Sequence, residues 1–560
     1  MIRTFQTHCI RKQEELTERL WTFTALSGDK AGESFPVHTP SAWETYPGFG
    51  LYRGEGRYET NFSPGGNVRI ECKGVSHTAK VYVDNELIAE HYNAYTPFSA
   101  VVQGLERGEH TLAIVADNRF SDISALHVPN DYMSYGGVTR PVAVEEVADV
   151  YLERVHVTPI FDDTHWRAFV DAAVVNLAEE RPVTLRISIA GKECVLSPQY
   201  LSKGESILRA EFTFEDVQTW SPETPKLYTV KAVLNVGGDE ADDLFDRFGF
   251  REIKIEGKQI LLNGEPLRIR GLCRHEDHPH FGCALPYEAM MHDLLLLKDL
   301  GANSVRTAHY PNDERFLDLC DELGILVCEE NHARGLSLEQ MQNPNFEPQA
   351  ERMTREMVLS HYNHPSVYIW GILNECASDS EFGKECYEKQ FALIRSLDKT
   401  RPCSFTSCKF KTDLCFGLPD VVSYNIYPKW YHDTPVDAYL NDLYTWVQTK
   451  TEGKGKPFLV TEIGAGGIYG YRTPYASKWS EEYQQKALSE QLTGVLSHPD
   501  CSGVYIWQFS DIRISEEWWG ERPRTMNNKG VVDEYRRPKL CYETVKRIFR
   551  EDKEKFGNNG

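Results

Sequence analysis

Residues 366–376 read Ser-Val-Tyr-Ile-Trp-Gly-Ile-Leu-Asn-Glu-Cys, and this stretch decides the fold. Val367, Tyr368, Ile369 and Trp370 form a nearly continuous apolar run, and Asn374 and Glu375 follow with no turn signal between. Such a run predicts a strand covered on both faces, as in a parallel sheet. A carboxylate at its end is costly to desolvate unless it is paired or used. Residues 457–462, Pro-Phe-Leu-Val-Thr-Glu, repeat the design and set Glu462 at the end of a second buried strand. Two carboxylates at one sheet edge, with Asn374 beside the first, point to acid/base and nucleophile work on a glycosidic bond.

Working outward, apolar strands alternate with helical stretches from Phe250 onward. The strand candidates are 267–272, 304–307, 326–329, 367–373, 403–407, 421–427, 458–462 and 503–509. Helical patterns fall at 287–300, 313–323, 349–362, 381–397, 481–497 and 539–549. Eight strands with intervening helices predict an eightfold β/α TIM barrel over residues 250–560. Glu375 then follows the fourth strand and Glu462 ends the seventh, both at the C-terminal face where barrel chemistry is done. The link 408–420 is too short for a full helix, and the charged tail 551–560 reads as a fraying end.

Upstream the pattern is all β, so the chain reads as a multidomain protein of α and β parts. Residues 1–148 carry short strands at 67–72, 80–83 and 111–115, bounded by turns such as Asp84-Asn85 and Asp117-Asn118. That spacing predicts a jelly-roll β-sandwich. In residues 149–249, Val183, Leu185, Ile187 and Ile189 alternate strictly, and 227–234 is another strand entered through Trp220-Ser-Pro-Glu-Thr-Pro. An immunoglobulin-like β-sandwich fits this segment.

The chain has 560 residues, 41% hydrophobic and 26% charged, a composition ordinary for folded domains. Sixty-one Lys+Arg against 83 Asp+Glu give a net charge of −22. This disfavours nucleic acid and anionic membranes as partners, because both select cationic surfaces. Fourteen cysteines are scattered without CxxC pairs, and the first residues lack the apolar core of a signal peptide. These features predict a cytoplasmic protein with reduced thiols.

Beyond the two carboxylates, the stretches 74–99, 248–277, 301–311, 363–375 and 527–539 together resemble glycoside hydrolase family 2, which includes β-glucuronidases and β-galactosidases. The resemblance runs through all three predicted domains. It implies that Glu375 is the general acid/base, Glu462 the nucleophile and Asn374 a sugar contact. In an extended segment, residues two apart face one side, so Asn527 and Lys529 present an amide and an ammonium together. They are similar to the Asn-x-Lys clamp by which β-glucuronidases hold the sugar carboxylate, which implies a uronic acid substrate.

The spacing of Asn425, Tyr427 and Tyr431 also matches the β-glucuronidase pattern, and with Trp507 these residues suit a pyranose. Tyr427 is expected to touch the nucleophile. The resemblance places His275 in the sugar pocket and Asp131, from the first domain, at the barrel mouth. His278-Pro279-His280 mimics a metal-binding HxH pair, but barrel metal sites also need histidines after later strands, and the fifth and sixth offer none. No metal or other cofactor is expected.

Arg524, just before the clamp, is expected to add positive charge. Arg334, in Glu-Asn-His-Ala-Arg-Gly after the third strand, departs from the β-glucuronidase pattern. Its rigid donor fork suits a sugar hydroxyl or carboxylate. Glucuronate and galacturonate differ only at C4, so a new donor at the pocket wall is expected to tilt preference towards galacturonide. The short loop 333–346 implies an open mouth.

The sequence therefore predicts a retaining exo-β-hexuronidase acting on terminal β-D-glucuronides or β-D-galacturonides of small molecules or oligosaccharides, and a homo-oligomer. The rivals are a neutral-sugar β-galactosidase and a catalytically inactive carbohydrate-binding protein.

Overall fold

The computed structural model of the chain describes residues 2–17 and 19–557. Its centre is a closed, parallel, eight-stranded barrel. The barrel strands 1 to 8 are Ile269–Arg274, Ser304–Thr307, Leu326–Glu330, Val367–Ile372, Cys403–Ser407, Val421–Asn425, Phe458–Ile463 and Cys501–Ile506. Every residue of strands 4 and 7 is buried, in keeping with the apolar runs Val367–Ile372 and Phe458–Val460.

Strand 1 starts two residues later than the sequence implied. The Leu267 N–H donates to the Ile260 carbonyl, which joins it to a separate antiparallel hairpin, Ile253–Glu256 and Gln259–Leu262. Ile253, Ile260 and Leu262 pack with Ile269, Tyr368, Leu459 and Tyr505, so this hairpin closes the apolar base of the barrel. Strand 8 likewise runs from Cys501 rather than from Gly503.

Helix Val436–Lys450 follows strand 6, where the sequence pattern gave no clear apolar stripe. The link between strands 5 and 6 carries no helix. The helix Glu314–Leu323 shows why its ends fall where they do. The Asp313 side chain accepts from the Arg315 N–H at one end, and Gly324 takes φ 69° at the other, a conformation that glycine adopts at little cost. The last helix, Cys541–Gly557, continues through residues expected to fray, and 558–560 lie outside the described residues.

Upstream, a six-stranded and a four-stranded antiparallel sheet face each other across a core of Trp21, Phe23, Trp43, Tyr58, Val81 and Ile114. Next come a three-stranded and a five-stranded antiparallel sheet around Val170, Leu185, Ile187, Phe212 and Val230. Alternation of buried and half-buried residues from Val183 to Ile189 matches its sequence pattern.

Buried contacts lock the first sandwich onto the barrel mouth. Lys73 pairs with Glu314 at 2.7 Å and Arg140 with Glu276 at 2.9 Å. The Tyr95 and Tyr310 rings stack at 3.9 Å. The segment around Asp131 is then pinned from the barrel side. Ser515 donates its N–H to the Asn130 carbonyl and its Oγ–H to the Tyr132 carbonyl, and Trp518 donates to the Pro129 carbonyl. Among the described residues, no helix is long and apolar enough to cross a membrane.

Candidate active site

Both carboxylates face one cavity of about 410 Å³ at the C-terminal face of the barrel, within the usual size range of small-molecule sites. Asp131, Arg334, Glu375, Asn425, Tyr427, Tyr431, Glu462, Trp507 and Lys529 all line it. Cys408, His432, Tyr439, Trp518, Glu521 and Arg522 complete the wall.

The strand-4 end turns abruptly to aim Glu375. Leu373 has φ 48° and Glu375 φ 54°, left-handed conformations that cost a non-glycine residue about 1–3 kcal/mol each. Three hydrogen bonds hold this backbone. Leu373 N–H donates to Asn331 Oδ1 at 3.0 Å, Glu375 N–H to the Thr406 carbonyl at 2.9 Å, and Gly335 N–H to the Asn374 carbonyl at 2.8 Å.

The end of strand 6 and the loop after it serve both acids. Asn425 Nδ2 donates to Glu375 Oε1 at 2.9 Å, and Tyr427 Oη donates to Glu462 Oε2 at 2.5 Å. Burial pushes the Glu462 carboxyl up to about 7, and the nearby Glu375 charge adds to this, while donors from Arg306 and Tyr427 oppose it.

Arg306, at the end of strand 2, was not singled out from sequence, yet it organises the site. It is fully buried, and its guanidinium donates to Glu462 Oε1 at 2.8 Å, Glu330 Oε1 at 2.6 Å and Asn374 Oδ1 at 2.7 Å. One rigid fork thus ties strands 2, 3, 4 and 7. The available signal was an arginine within a short barrel strand, Ser304–Thr307, where a buried guanidinium must find carboxylates.

The opposite wall is cationic. Arg334 is set by a parallel bridge to Asn374. Its Nη1 donates to Asn130 Oδ1 at 2.7 Å, and its Nη2 lies 3.3 Å from Asp131 Oδ1 and 3.7 Å from Glu375 Oε2. Burial alone would raise the Asp131 carboxyl, but Arg334, Lys529 and Arg522 hold it well below the usual carboxylate range. The Lys529 ammonium donates to Tyr431 Oη at 3.2 Å and lies 5.4–5.7 Å from the rings of Tyr427, Trp430 and Tyr431.

Four of the residues picked from sequence stand back from the cavity wall. Asn374 supports Arg306, and Asn527 donates to Asp131 Oδ2 at 3.2 Å. His275 is buried behind Trp507, its ring centroid 5.3 Å away, with Nδ1 3.1 Å from Tyr310 Oη. Arg524 corrects an expectation. It turns away to pair with Glu534 at 2.6 Å, because its backbone takes φ 60°. Arg522 lines the cavity instead, 3.2 Å from Asp131 Oδ2. His278 and His280 pack against Phe281 and Tyr535, outside the cavity wall.

Comparison with known proteins agrees with this architecture. Residues 253–552 match the model of glycosyl hydrolases family 2, TIM barrel domain, and residues 150–251 match a second model of glycosyl hydrolases family 2. The chain is similar to a family 2 β-galacturonidase from Eisenbergiella tayi whose crystal structure holds galacturonate. The two share 57% identity and a TM-score of 0.96, over 98% of this chain and 99% of that one. It is also similar to a β-D-glucuronidase structure from Dictyoglomus thermophilum, at 25% identity, a TM-score of 0.83 and 97% coverage of both chains. A β-glucuronidase of Streptococcus agalactiae is 28% identical over 509 residues, 83% of this chain and 84% of that protein. With a family model covering more than half of its length, the chain belongs to glycoside hydrolase family 2.

Proposed function

We propose that the protein is a retaining exo-β-hexuronidase with a preference for terminal β-D-galacturonides. One observation carries the uronate reading. Lys529 is buried in the cavity wall, and among the described residues it has no carboxylate within ion-pair distance. A buried ammonium needs an anion, and a substrate carboxylate supplies one. Asn527, two residues earlier, braces Asp131 rather than reaching the cavity itself, so its part in the clamp is indirect.

In this reading Glu462 attacks the anomeric carbon while Glu375 protonates the leaving oxygen. Water then hydrolyses the glycosyl ester with Glu375 as base. Asn425 orients Glu375, and Arg306 and Tyr427 orient Glu462.

The galacturonide preference rests on Arg334, whose guanidinium reaches the cavity beside Glu375 and Asp131. The similarity to the Eisenbergiella tayi β-galacturonidase supports the same sugar. Fourteen free cysteines suit a reducing cytoplasm.

The test is parallel kinetics on aryl β-galacturonide, β-glucuronide and β-galactoside, with the first-formed anomer followed by NMR. The expected order is galacturonide, then glucuronide, then galactoside, with a β-configured first product. A galactoside preference, or an α first product, overturns the reading.

A further inference from the structure

The proposed reaction uses two carboxylates, yet a third is buried against the same guanidinium. Glu330, the last residue of barrel strand 3, is 2% exposed. Its Oε1 accepts from Arg306 Nε at 2.6 Å, and its Oε2 lies 3.0 Å from His309 Nδ1. Both partners also face Glu462. Arg306 Nη1 is 2.8 Å from Glu462 Oε1, and His309 Nε2 is 3.9 Å from the same oxygen. The backbone is shaped to admit this side chain, since a Cβ at Gly371 would stand 2.7 Å from Glu330 Cγ.

We infer that Glu330 is a positioning residue for the nucleophile: it shares Arg306 with Glu462 and fixes the tautomer of His309. The inference rests on Glu462 being the nucleophile. Three effects act in one direction. Burial raises the Glu330 carboxyl and the Arg306 guanidinium opposes this; ionised against that guanidinium, Glu330 neutralises part of the Arg306 charge that would otherwise stabilise the Glu462 anion. It is itself a like charge near Glu462. It also accepts a hydrogen bond from His309 Nδ1–H, which leaves a lone pair on Nε2 towards Glu462 rather than a donor. All three keep Glu462 more basic, and hence more nucleophilic, than Arg306 alone would allow.

The other charged groups around the pair do not reproduce this. Strand 1 supplies the Cys273 thiol, 3.3 Å from Arg306 Nη1, whose own ionisation burial pushes far up. His275 and His309 are held neutral first by burial. Glu375 adds negative charge from strand 4, while Tyr427 donates from the strand-6 side. Arg334, with Asp131 against it, offsets part of the Glu375 charge from the third loop and the first sandwich. Glu330 is the carboxylate that contacts both Arg306 and His309.

The experiment uses a 2-deoxy-2-fluoro hexuronyl fluoride, which traps the glycosyl ester on the nucleophile. Peptide mapping identifies the labelled residue, and the pH dependence of the labelling rate reads its ionisation. In the wild type the rate should fall as pH drops through about 7, where Glu462 takes up its proton.

In Glu330→Gln the amide accepts from Arg306, and its NH₂ turns His309 into the opposite tautomer. The acid limb should then move down by roughly one pH unit, with a slower plateau. Glu330→Asp, which keeps the charge, should return the limb towards the wild-type position. If Glu330→Gln does not accumulate as folded protein, Glu330→Thr reads the same limb. Label on a residue other than Glu462 overturns the nucleophile assignment itself. Label on Glu462 with an unmoved or raised limb in the neutral variants overturns the role of Glu330. A plateau lowered equally at all pH values is the signature of a merely structural part, and it too overturns the inference.

Discussion

Glu375 and Glu462 stand on or just beyond barrel strands, whereas Arg334, Arg522 and Lys529 stand on loops that converge on Asp131, a residue of the first β-sandwich. The first region is held by a hydrogen-bond network tied to Arg306, with each acid given its own donor from the strand-6 side. The second draws on three distant parts of the chain, and its Lys529 meets no carboxylate partner among the described residues. In the proposed reading, chemistry sits on rigid elements, and recognition is assembled where segments meet. Damage to the first region should harm every substrate alike. Damage to the second should change which substrate is used.

Breaking the first region is the largest effect. Glu462→Gln removes the attacking oxygen and should abolish turnover of galacturonide, glucuronide and galactoside together. Glu375→Gln should cost on the order of 10²–10⁴-fold on poor leaving groups and least on activated aryl glycosides, which need little protonation. Azide should partly rescue a small residue at 375, because it attacks the glycosyl ester without a base. Substrate-dependent survival in Glu462→Gln would dissolve the division between the two regions.

The clamp should behave in the opposite way. Lys529→Ala leaves a bound uronate carboxylate without its cation, and truncating one partner of a buried charge pair costs about 2–5 kcal/mol. Hexuronide kcat/KM should fall by that amount, while any trace galactosidase activity holds or rises. Equal losses on charged and neutral sugars would make Lys529 structural.

The same division governs what the sequence showed. The barrel strands were legible because strands buried on both faces must be apolar, and Val367–Ile372 and Phe458–Ile463 announce themselves. The two acids drew attention because a buried carboxylate ending such a strand must be paired or used. Arg306 was hidden, since its meaning depends on Glu330, Asn374 and Glu462 arriving from three other strands. Helix Val436–Lys450 was hidden because its buried residues, Val436, Leu440, Leu443 and Val447, are interleaved with other apolar side chains. In the recognition wall, proximity in sequence misled. Arg524 is closer to Lys529 than Arg522 is, but one left-handed residue sends it outward.

Arg334 sharpens the comparison, because it touches both regions. Its Nη2 lies near Glu375 as well as Asp131, so a small loss on all substrates is expected from Arg334→Ala. The larger effect should be on the ratio of kcat/KM values. A charge-assisted hydrogen bond to a hydroxyl is worth about 1.5–3 kcal/mol, which moves the galacturonide-to-glucuronide ratio roughly ten- to hundredfold towards glucuronide. An unchanged ratio would assign Arg334 to the catalytic region alone.

The smallest effect tests where the recognition wall ends. Arg524 is near the clamp in sequence, but its side chain is 40% exposed and its partner is Glu534 rather than Asp131. Glu534 is buried, so losing this cation leaves its carboxylate without a partner and costs about 1–3 kcal/mol. Arg524→Gly loses that pair, and it raises the entropy of the unfolded chain by about 0.4–1 kcal/mol. Against this it relieves a left-handed backbone that costs a side chain about 1–2 kcal/mol. The losses exceed the relief, so the melting temperature should fall modestly, while kcat/KM should stay within about twofold on all three sugars. Arg522→Ala is the matched contrast. It removes a cation 3.2 Å from Asp131 and should weaken hexuronides selectively. If Arg524→Gly changes the sugar preference as much as Arg522→Ala does, the wall extends past Asp131 and the line between the two regions is drawn in the wrong place.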